Sequence, residues 1–323
     1  MTARTLGVAA LAAAFVVLAP PAAAFDLQGH RGARGLAPEN TLAAFGTALA
    51  IGVTTLETDL AVTKDGVLVI SHDPFLNPDL VREQDGRWLA EKGPRIHALT
   101  LAELQRYDIG RIDPASRYAR QFPAQTAVDG ERFPTLAEVL DLGRAQSKTV
   151  RFNLETKITP GNPDDTVDPA TFARLVVAAV RTAGLADRVT IQSFDWRTLI
   201  EAKKLAPGIA TVCLTIETPN NDTVRRTGGV PSPWQGGLDL AAVDGSLPKL
   251  VAAAGCSTWS PFWRNLTPTE LVAAHALKLA VVPWTVNDAA DMATLIDMGV
   301  DGMITDYPDR LRAVLAGKGI ALP

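Results

Sequence analysis

The chain reads as an α/β barrel, a ring of eight parallel strands with helices outside. Three observations predict it. From Asp26 onward, short apolar strand-like runs alternate with amphipathic helical stretches, the pattern of a parallel sheet covered by helices. The 299 residues beyond position 24 suit one such barrel carrying an insertion. A surplus ninth strand is absorbed by a hairpin.

The first 24 residues read as an address and not as part of the fold. Arg4 supplies a positive start, Leu6 to Leu18 is an uncharged apolar run, and Pro20-Pro21 breaks it before Ala22-Ala23-Ala24. This is the pattern of a secretory signal. The run is too short to span a membrane, which takes about 20 apolar residues. No cysteine follows it, which argues against a lipid anchor there. Export to the periplasm or the medium is therefore expected, with no stable membrane span once the signal is removed.

Strands are predicted at Leu27–Arg31, Thr55–Thr63, Val67–His72, Val150–Lys157, Val189–Phe194, Thr211–Ile216, Ser257–Pro261, Ala280–Val286 and Gly302–Thr305. Helices are predicted at Thr41–Ile51, Leu136–Arg144, Pro169–Ala183, Trp196–Leu205, Leu247–Ala254, Pro268–Leu277, Ala289–Met298 and Pro308–Leu315. Only Lys64, Asp65 and Gly66 separate the second and third strands, too few for a parallel crossover. That pair must be a hairpin. With Asp65-Gly66 as a two-residue turn, Lys64 faces Val67 and Asp59 falls opposite His72.

Formal charge is −4, from 31 basic and 35 acidic residues spread along the chain, so no block reads as a nucleic-acid footprint. A small-molecule substrate fits better. The two cysteines, Cys213 and Cys256, fall in or beside predicted strands on either side of a long loop. Export permits a disulfide, but two buried thiols on core strands is the simpler reading.

Active sites of such barrels sit at the C-terminal ends of the strands. His30, Glu57, Asp59, Glu155, Gln192 and Trp284 all fall near those ends. Glu57 and Asp59, two apart on one strand, share a face. Along Arg151 to Lys157, alternation sends Phe152, Leu154 and Thr156 toward the helices, and Asn153, Glu155 and Lys157 toward the barrel mouth. Alone, Glu57 and Asp59 would read as an exposed strand face. Three converging carboxylates repel one another unless a hard cation joins them, and all-oxygen ligands favour magnesium or calcium. His30 and His72 are the histidines placed at the mouth, where they suit general acid and base roles. Arg31 and Lys157 add positive charge, for phosphate oxygens or for pairing with the carboxylates. His97 and His275 read as surface or packing residues.

The segments GHRGARGLAPENT, LETDLAVTKDGVLVISHDP and NLETK, in that order and spacing, resemble the signatures of glycerophosphodiester phosphodiesterases. Weaker echoes run through Leu99–Leu104, Tyr107 to Gly110, Phe133–Leu140, Gln192 to Phe194, Trp284 to Asn287 and Ile304 to Pro308, so the likeness spans nearly all of Gly29–Pro308. The resemblance implies a TIM barrel with a small inserted subdomain at about 74–134, hydrolysing glycerophosphodiesters to glycerol 3-phosphate and an alcohol. It implies His30 and His72 as the acid–base pair and Glu57, Asp59 and Glu155 as ligands of one divalent cation, Ca2+ or Mg2+. Arg31 and Lys157 then contact phosphate, and Gln192, Phe194 and Trp284 line the substrate pocket. Asn40 is expected to cap the following helix, and Glu39 to orient a site residue.

Thr58 and Thr156 depart from the family pattern but should point away from the ligands. The segment Glu217–Leu238, with Pro219, Pro231, Pro233 and Trp234, follows a strand end and leaves the choice of alcohol open. The attacking group is water, or the glycerol 2-hydroxyl acting first to give a cyclic phosphate. Two other functions fit the sequence less well: a lysophospholipase D or sphingomyelinase D-like lipid phosphodiesterase, and a non-catalytic binding protein on the same barrel. Oligomeric state is not legible.

Overall fold

The computed structural model of the chain describes residues 24–227 and 230–322, so the signal reading lies, but for Ala24, outside the described residues. Strands are β1 (Asp26–Gly29), β2 (Thr55–Val62), β3 (Leu68–Ile70), β4 (Arg151–Thr156), β5 (Val189–Ser193), β6 (Ala210–Thr215), β7 (Glu217–Thr218), β8 (Asn221–Asp222), β9 (Thr258–Pro261), β10 (Ala280–Val281) and β11 (Gly302–Thr305). Helices are α1 (Leu42–Ile51), α2 (Leu101–Leu104), α3 (Leu136–Gln146), α4 (Pro169–Ala183), α5 (Trp196–Leu205), α6 (Leu247–Ala253), α7 (Pro268–Ala276), α8 (Ala289–Met298) and α9 (Pro308–Gly317). Among the described residues, no helix is long and apolar enough to cross a membrane.

Eight strands run parallel in the order β10-β9-β6-β5-β4-β2-β1-β11. Backbone hydrogen bonds join the two ends of this row: Asp301 N–H to Val281 O at 3.0 Å, Ile304 N–H to Pro283 O at 3.0 Å, and Val286 N–H to Ile304 O at 3.0 Å. The sheet is thus a barrel, as the alternation predicts. Regular pairing of β10 stops at Val281, short of the predicted Val286, because Pro283 has no N–H to give a neighbour.

Strands buried on both faces need continuous apolar runs, and the helices outside them need one apolar stripe. In α4 the buried side chains are Phe172, Ala173, Val176, Val177 and Val180, a single face of the helix. Phe152 and Leu154 enter the main core, and Thr156 Oγ1 meets Thr198 Oγ1 of α5 at 2.9 Å, so these three residues face the helices as the alternation requires. Asn153 instead points inward, its Nδ2 donating to Gln28 Oε1 at 2.9 Å and Gln192 Oε1 at 2.8 Å.

β3 pairs antiparallel with β2, but one residue out of the expected register: Leu60 faces Ile70, Ala61 faces Val69 and Val62 faces Leu68. The turn therefore has three residues, Lys64, Asp65 and Gly66. Thr63 decides it, since Val67 N–H donates to Thr63 Oγ1 at 3.0 Å while that hydroxyl donates to Asp65 Oδ1 at 2.6 Å. Gly66 takes a φ of 79°, the left-handed position that closes a three-residue hairpin. Between β3 and α3, a second small core of Val69, Leu76, Val81, Ile96, Leu104, Ile109 and Phe133 packs on this hairpin.

Cys213 and Cys256 are joined, with Cα atoms 5.9 Å apart, and not the free thiols of the simpler reading. Parallel pairing of β6 with β9 sets Cys213 opposite Trp259 and so brings Cys256, three residues earlier, within reach.

Candidate active site

The site begins with strand register. Asp59 of β2 stands directly opposite Glu155 of β4, and Glu155 directly opposite Gln192 of β5. Glu57 shares the Asp59 face. Like charges directly opposite on neighbouring strands destabilise a sheet, so this arrangement requires compensation. Glu57, Asp59 and Glu155 each offer an oxygen within 4.8 Å of the others, and all three are buried.

Each carboxylate is held. Glu57 Oε2 accepts from Arg31 N–H at 3.0 Å and Oε1 from Gln192 Nε2 at 2.7 Å. Asp59 Oδ2 accepts from Asn40 Nδ2 at 3.0 Å and lies 3.1 Å from Arg31 Nε. Glu155 Oε1 accepts from Lys157 Nζ at 2.7 Å. Asp59 Oδ1, however, is buried without a hydrogen-bond partner, with Lys157 Nζ 3.6 Å away. An orphaned anionic oxygen beside two further carboxylates fits a hard cation. Burial, then Asp59 and Glu155, push the Glu57 carboxyl well above its usual range. Burial also pushes Glu155 up, against Lys157, whereas in Asp59 the pull of Arg31 and Lys157 overcomes burial and holds it low. The trio can hold a metal.

His30 and His72 share one cavity of about 470 Å3 with Glu57, Glu155, Arg31 and Lys157. His30 Nδ1 lies 2.7 Å from Asp306 Oδ1, and its Nε2 is 3.9 Å from Glu57 Oε2. Burial, then Arg34, lower the His30 pKa to about 4 against the opposing pull of Asp306. His72 Nδ1 lies 3.0 Å from Asp73 Oδ1, and burial, Arg31 and Lys157 lower its pKa too. The His30 ring is thereby neutral near pH 7. Each ring has a carboxylate on Nδ1, which leaves Nε2 for chemistry.

Gln192, Phe194 and Trp284 line the same cavity, and Phe194 and Trp284 stand edge to face with centroids 5.2 Å apart. A second cleft of about 980 Å3 shares His72, Glu155, Lys157, Phe194 and Trp284 and runs out to Trp234 and Ile216. The segment after β6 therefore walls this cleft. Arg31 and Lys157 are ion-paired with Asp59 and Glu155, the second of the two roles read for them. His275 lies apart, paired with Asp301 at 2.9 Å.

Several side chains here were not singled out by sequence. Asp306 follows β11 and is gripped by Arg34 through Nε at 2.7 Å and Nη2 at 3.0 Å, and by Asn287 Nδ2 at 2.6 Å. The signal for it is the closing register: Gly29 faces Thr305, so His30 and Asp306 leave their strands side by side. Glu39 orients Arg31 as expected, accepting from its Nη1 at 2.6 Å. Asn40 does not cap α1. Thr41 does, its hydroxyl accepting from Ala44 N–H at 3.1 Å, while Asn40 takes a φ of 58° and turns inward to Asp59. Gly32 has a φ of 83° and lies so close to Ala44 that a Cβ would stand 2.6 Å from its backbone carbon, which keeps the loop after β1 tight on α1.

A parallel barrel with three converging carboxylates, two braced imidazoles and two cations at its C-terminal mouth defines a phosphodiester-hydrolase class of α/β barrel. The model of the glycerophosphoryl diester phosphodiesterase family matches residues 30–310, and the chain belongs to that family of enzymes. A glycerophosphodiester phosphodiesterase of Caldanaerobacter subterraneus is 28% identical over 288 residues, covering 87% of this chain and 94% of that protein. One of Bacillus subtilis is 29% identical over 296 residues, covering 89% and 85%. Among solved structures, a candidate glycerophosphoryl diester phosphodiesterase of Silicibacter pomeroyi is 35% identical with a TM-score of 0.82, covering 93% of this chain and 95% of that one. A phosphodiesterase of Oleispira antarctica, solved with the product sn-glycerol-3-phosphate, shares the fold at 23% identity and a TM-score of 0.65, covering 90% and 96%.

Proposed function

We propose that this enzyme hydrolyses glycerophosphodiesters to glycerol 3-phosphate and an alcohol by two-histidine acid–base catalysis. The observation that carries the reading is the facing of Asp59 and Glu155 across β2 and β4, with Glu57, His30 and His72 around one cavity. The Oleispira antarctica phosphodiesterase solved in complex with sn-glycerol-3-phosphate supports the product class.

Glu57, Asp59 and Glu155 would hold one divalent cation, Ca2+ or Mg2+, which when bound supplies Lewis-acid stabilisation of charge on the phosphate oxygens. Arg31 adds a guanidinium to the same oxygens, and its own anchors fix its direction: Glu39 on Nη1 and Asp59 beside Nε. Lys157 contributes a point charge from beside Glu155. His30, neutral and with its Nδ1–H donated to Asp306, takes on Nε2 the proton of the attacking water, or of the glycerol 2-hydroxyl where a cyclic phosphate forms first and water then opens it. His72 acts in its protonated form, the imidazolium that Asp73 on Nδ1 favours, and gives the Nε2 proton to the departing alkoxide. Phe194 and Trp284 wall the place where the two cavities join, and Gln192 fixes Glu57. The alcohol leaves through the cleft that Trp234 borders.

The reading extends to location. The signal pattern over residues 1–24 and the Cys213–Cys256 bond both suit an oxidising compartment, periplasmic or extracellular.

The test is to strip the purified protein of metal, restore Ca2+ or Mg2+ separately, and measure glycerol 3-phosphate release from glycerophosphocholine and glycerophosphoglycerol beside choline release from lysophosphatidylcholine. Metal-dependent release from the water-soluble diesters is expected. Turnover of the lysophospholipid alone would move the assignment to a lipid phosphodiesterase. No turnover of any diester with either ion would overturn it.

A further inference from the structure

Between β3 and α3 the chain leaves the barrel for some 60 residues, and one side chain of that excursion returns to the site. Tyr118 donates its hydroxyl hydrogen to Glu39 Oε2, and its oxygen accepts from Arg34 Nη1 at 3.1 Å. Glu39 holds Arg31 through its other oxygen at 2.6 Å. Arg34 holds Asp306, which holds His30 Nδ1 at 2.7 Å. One hydroxyl thus joins two relays, one ending on the guanidinium that faces phosphate and the other on the imidazole that moves a proton. Donor and acceptor roles are consistent throughout, because a phenol gives one hydrogen and takes another.

The rest of the segment fastens the same loop. Phe122 stands edge-on to Tyr118 with centroids 5.1 Å apart and lies under the Arg34 guanidinium at 4.7 Å. Gln125 Nε2 donates to Arg34 O at 2.7 Å and Thr126 N–H to Leu36 O at 2.9 Å. The loop so fastened carries Arg31 and Asn40, both at positive φ (51° and 58°), a conformation that ordinary side chains hold only when their surroundings impose it.

We propose that Tyr118 is a positioning residue for the reaction: it ties the inserted segment to the loop after β1 and sets His30 and Arg31 together. This rests on the assignment of His30 and Arg31 above. The segment then serves the chemistry directly.

The experiment compares Tyr118→Phe, Glu39→Gln and the double variant in the metal-loaded enzyme with glycerophosphocholine, with Phe122→Leu as a packing control. Tyr118→Phe keeps the ring on Phe122 and removes only the hydroxyl. Its kcat is expected to fall about tenfold with KM within twofold and the melting temperature nearly unchanged. The double variant should lose less than the two singles together, because both cut the Tyr118–Glu39 bond. Phe122→Leu should lower the melting temperature with little loss of kcat below it. A Tyr118→Phe kcat within twofold of the parent, or a loss that adds fully to that of Glu39→Gln, overturns the proposal. A parent enzyme that turns over no diester overturns the underlying assignment instead.

Discussion

Asp306→Asn is the sharpest probe of how the site works, because the substitution keeps shape and removes only charge and acceptor capacity. Four N–H donors converge on this carboxylate, two per oxygen: His30 Nδ1 and Arg34 Nε on Oδ1, Arg34 Nη2 and Asn287 Nδ2 on Oδ2. A carboxylate accepts all four; an asparagine carbonyl accepts two, and its amide presents hydrogens to the remaining donors. Either His30 loses its anchor or Arg34 loses its fork. Arg34 is mostly buried, its side chain 13% exposed, so removing its counter-ion should cost about 3 kcal/mol, the low end for half of a buried pair. In a protein of about 300 residues that is a fall in melting temperature of roughly 5 °C. Activity should suffer more. Without the acceptor on Nδ1 the ring is free to adopt the tautomer with hydrogen on Nε2, which cannot take a proton there, and a loss of about 10^2 to 10^4 in kcat/KM follows. The assay is steady-state glycerol 3-phosphate release at pH 7.5, well below the variant's melting transition, beside a thermal melt. A folded Asp306→Asn variant within threefold of the parent kcat/KM would refute this bracing of His30.

Two further outcomes are expected. Joining positions 43 apart, the Cys213–Cys256 bond restricts the unfolded chain, so Cys213→Ala with Cys256→Ala should lower unfolding free energy in urea by about 4 kcal/mol; a loss under 1 kcal/mol would show that the bond contributes little. The pH dependence of stability has a definite sign at His30, whose pKa falls from 6.5 unfolded to about 4 folded. Between those values the unfolded chain binds the proton and the native chain does not, so this contribution is complete above pH 6.5, is lost as pH falls toward 4, and totals roughly 3 kcal/mol. His30→Asn should flatten the stability curve across that window, and an unchanged slope would refute the burial argument.

Much of this site was legible because it obeys short-range rules. Glu57 and Asp59 share a face because they are two apart on a strand, and Glu155 with Lys157 repeats that spacing on the strand that pairs with it. What the sequence hides is the set of groups that brace these. Arg34 lies in a loop whose path depends on Gly32 and on two left-handed residues, and Tyr118 sits in a stretch with no periodicity to direct it. Asp306 is a different case. It was within reach of reasoning, since a closed barrel must pair its last strand with its first, and a carboxylate one residue beyond β11 then lies beside a histidine one residue beyond β1.

The hairpin shows how His72 reaches the cavity although the register differs from the expected one. A one-residue slip in a paired strand exchanges its two faces, and the three-residue turn at Lys64-Asp65-Gly66 produces that slip relative to the expected pairing of Asp59 with His72. Had His72 been inside the ladder, it would have faced away from Asp59. It is not inside. The last bond from this edge to β2 is Ser71 N–H to Asp59 O at 3.0 Å, and beyond it the chain turns under Ser71 Oγ, which donates to Asp73 O at 3.0 Å. His72 is then aimed by Asp73, itself held by Asn77 Nδ2 at 2.7 Å, and not by strand alternation. The direction of the second imidazole is therefore a property of the SHDP corner, and alternation along β3 carries no information about it.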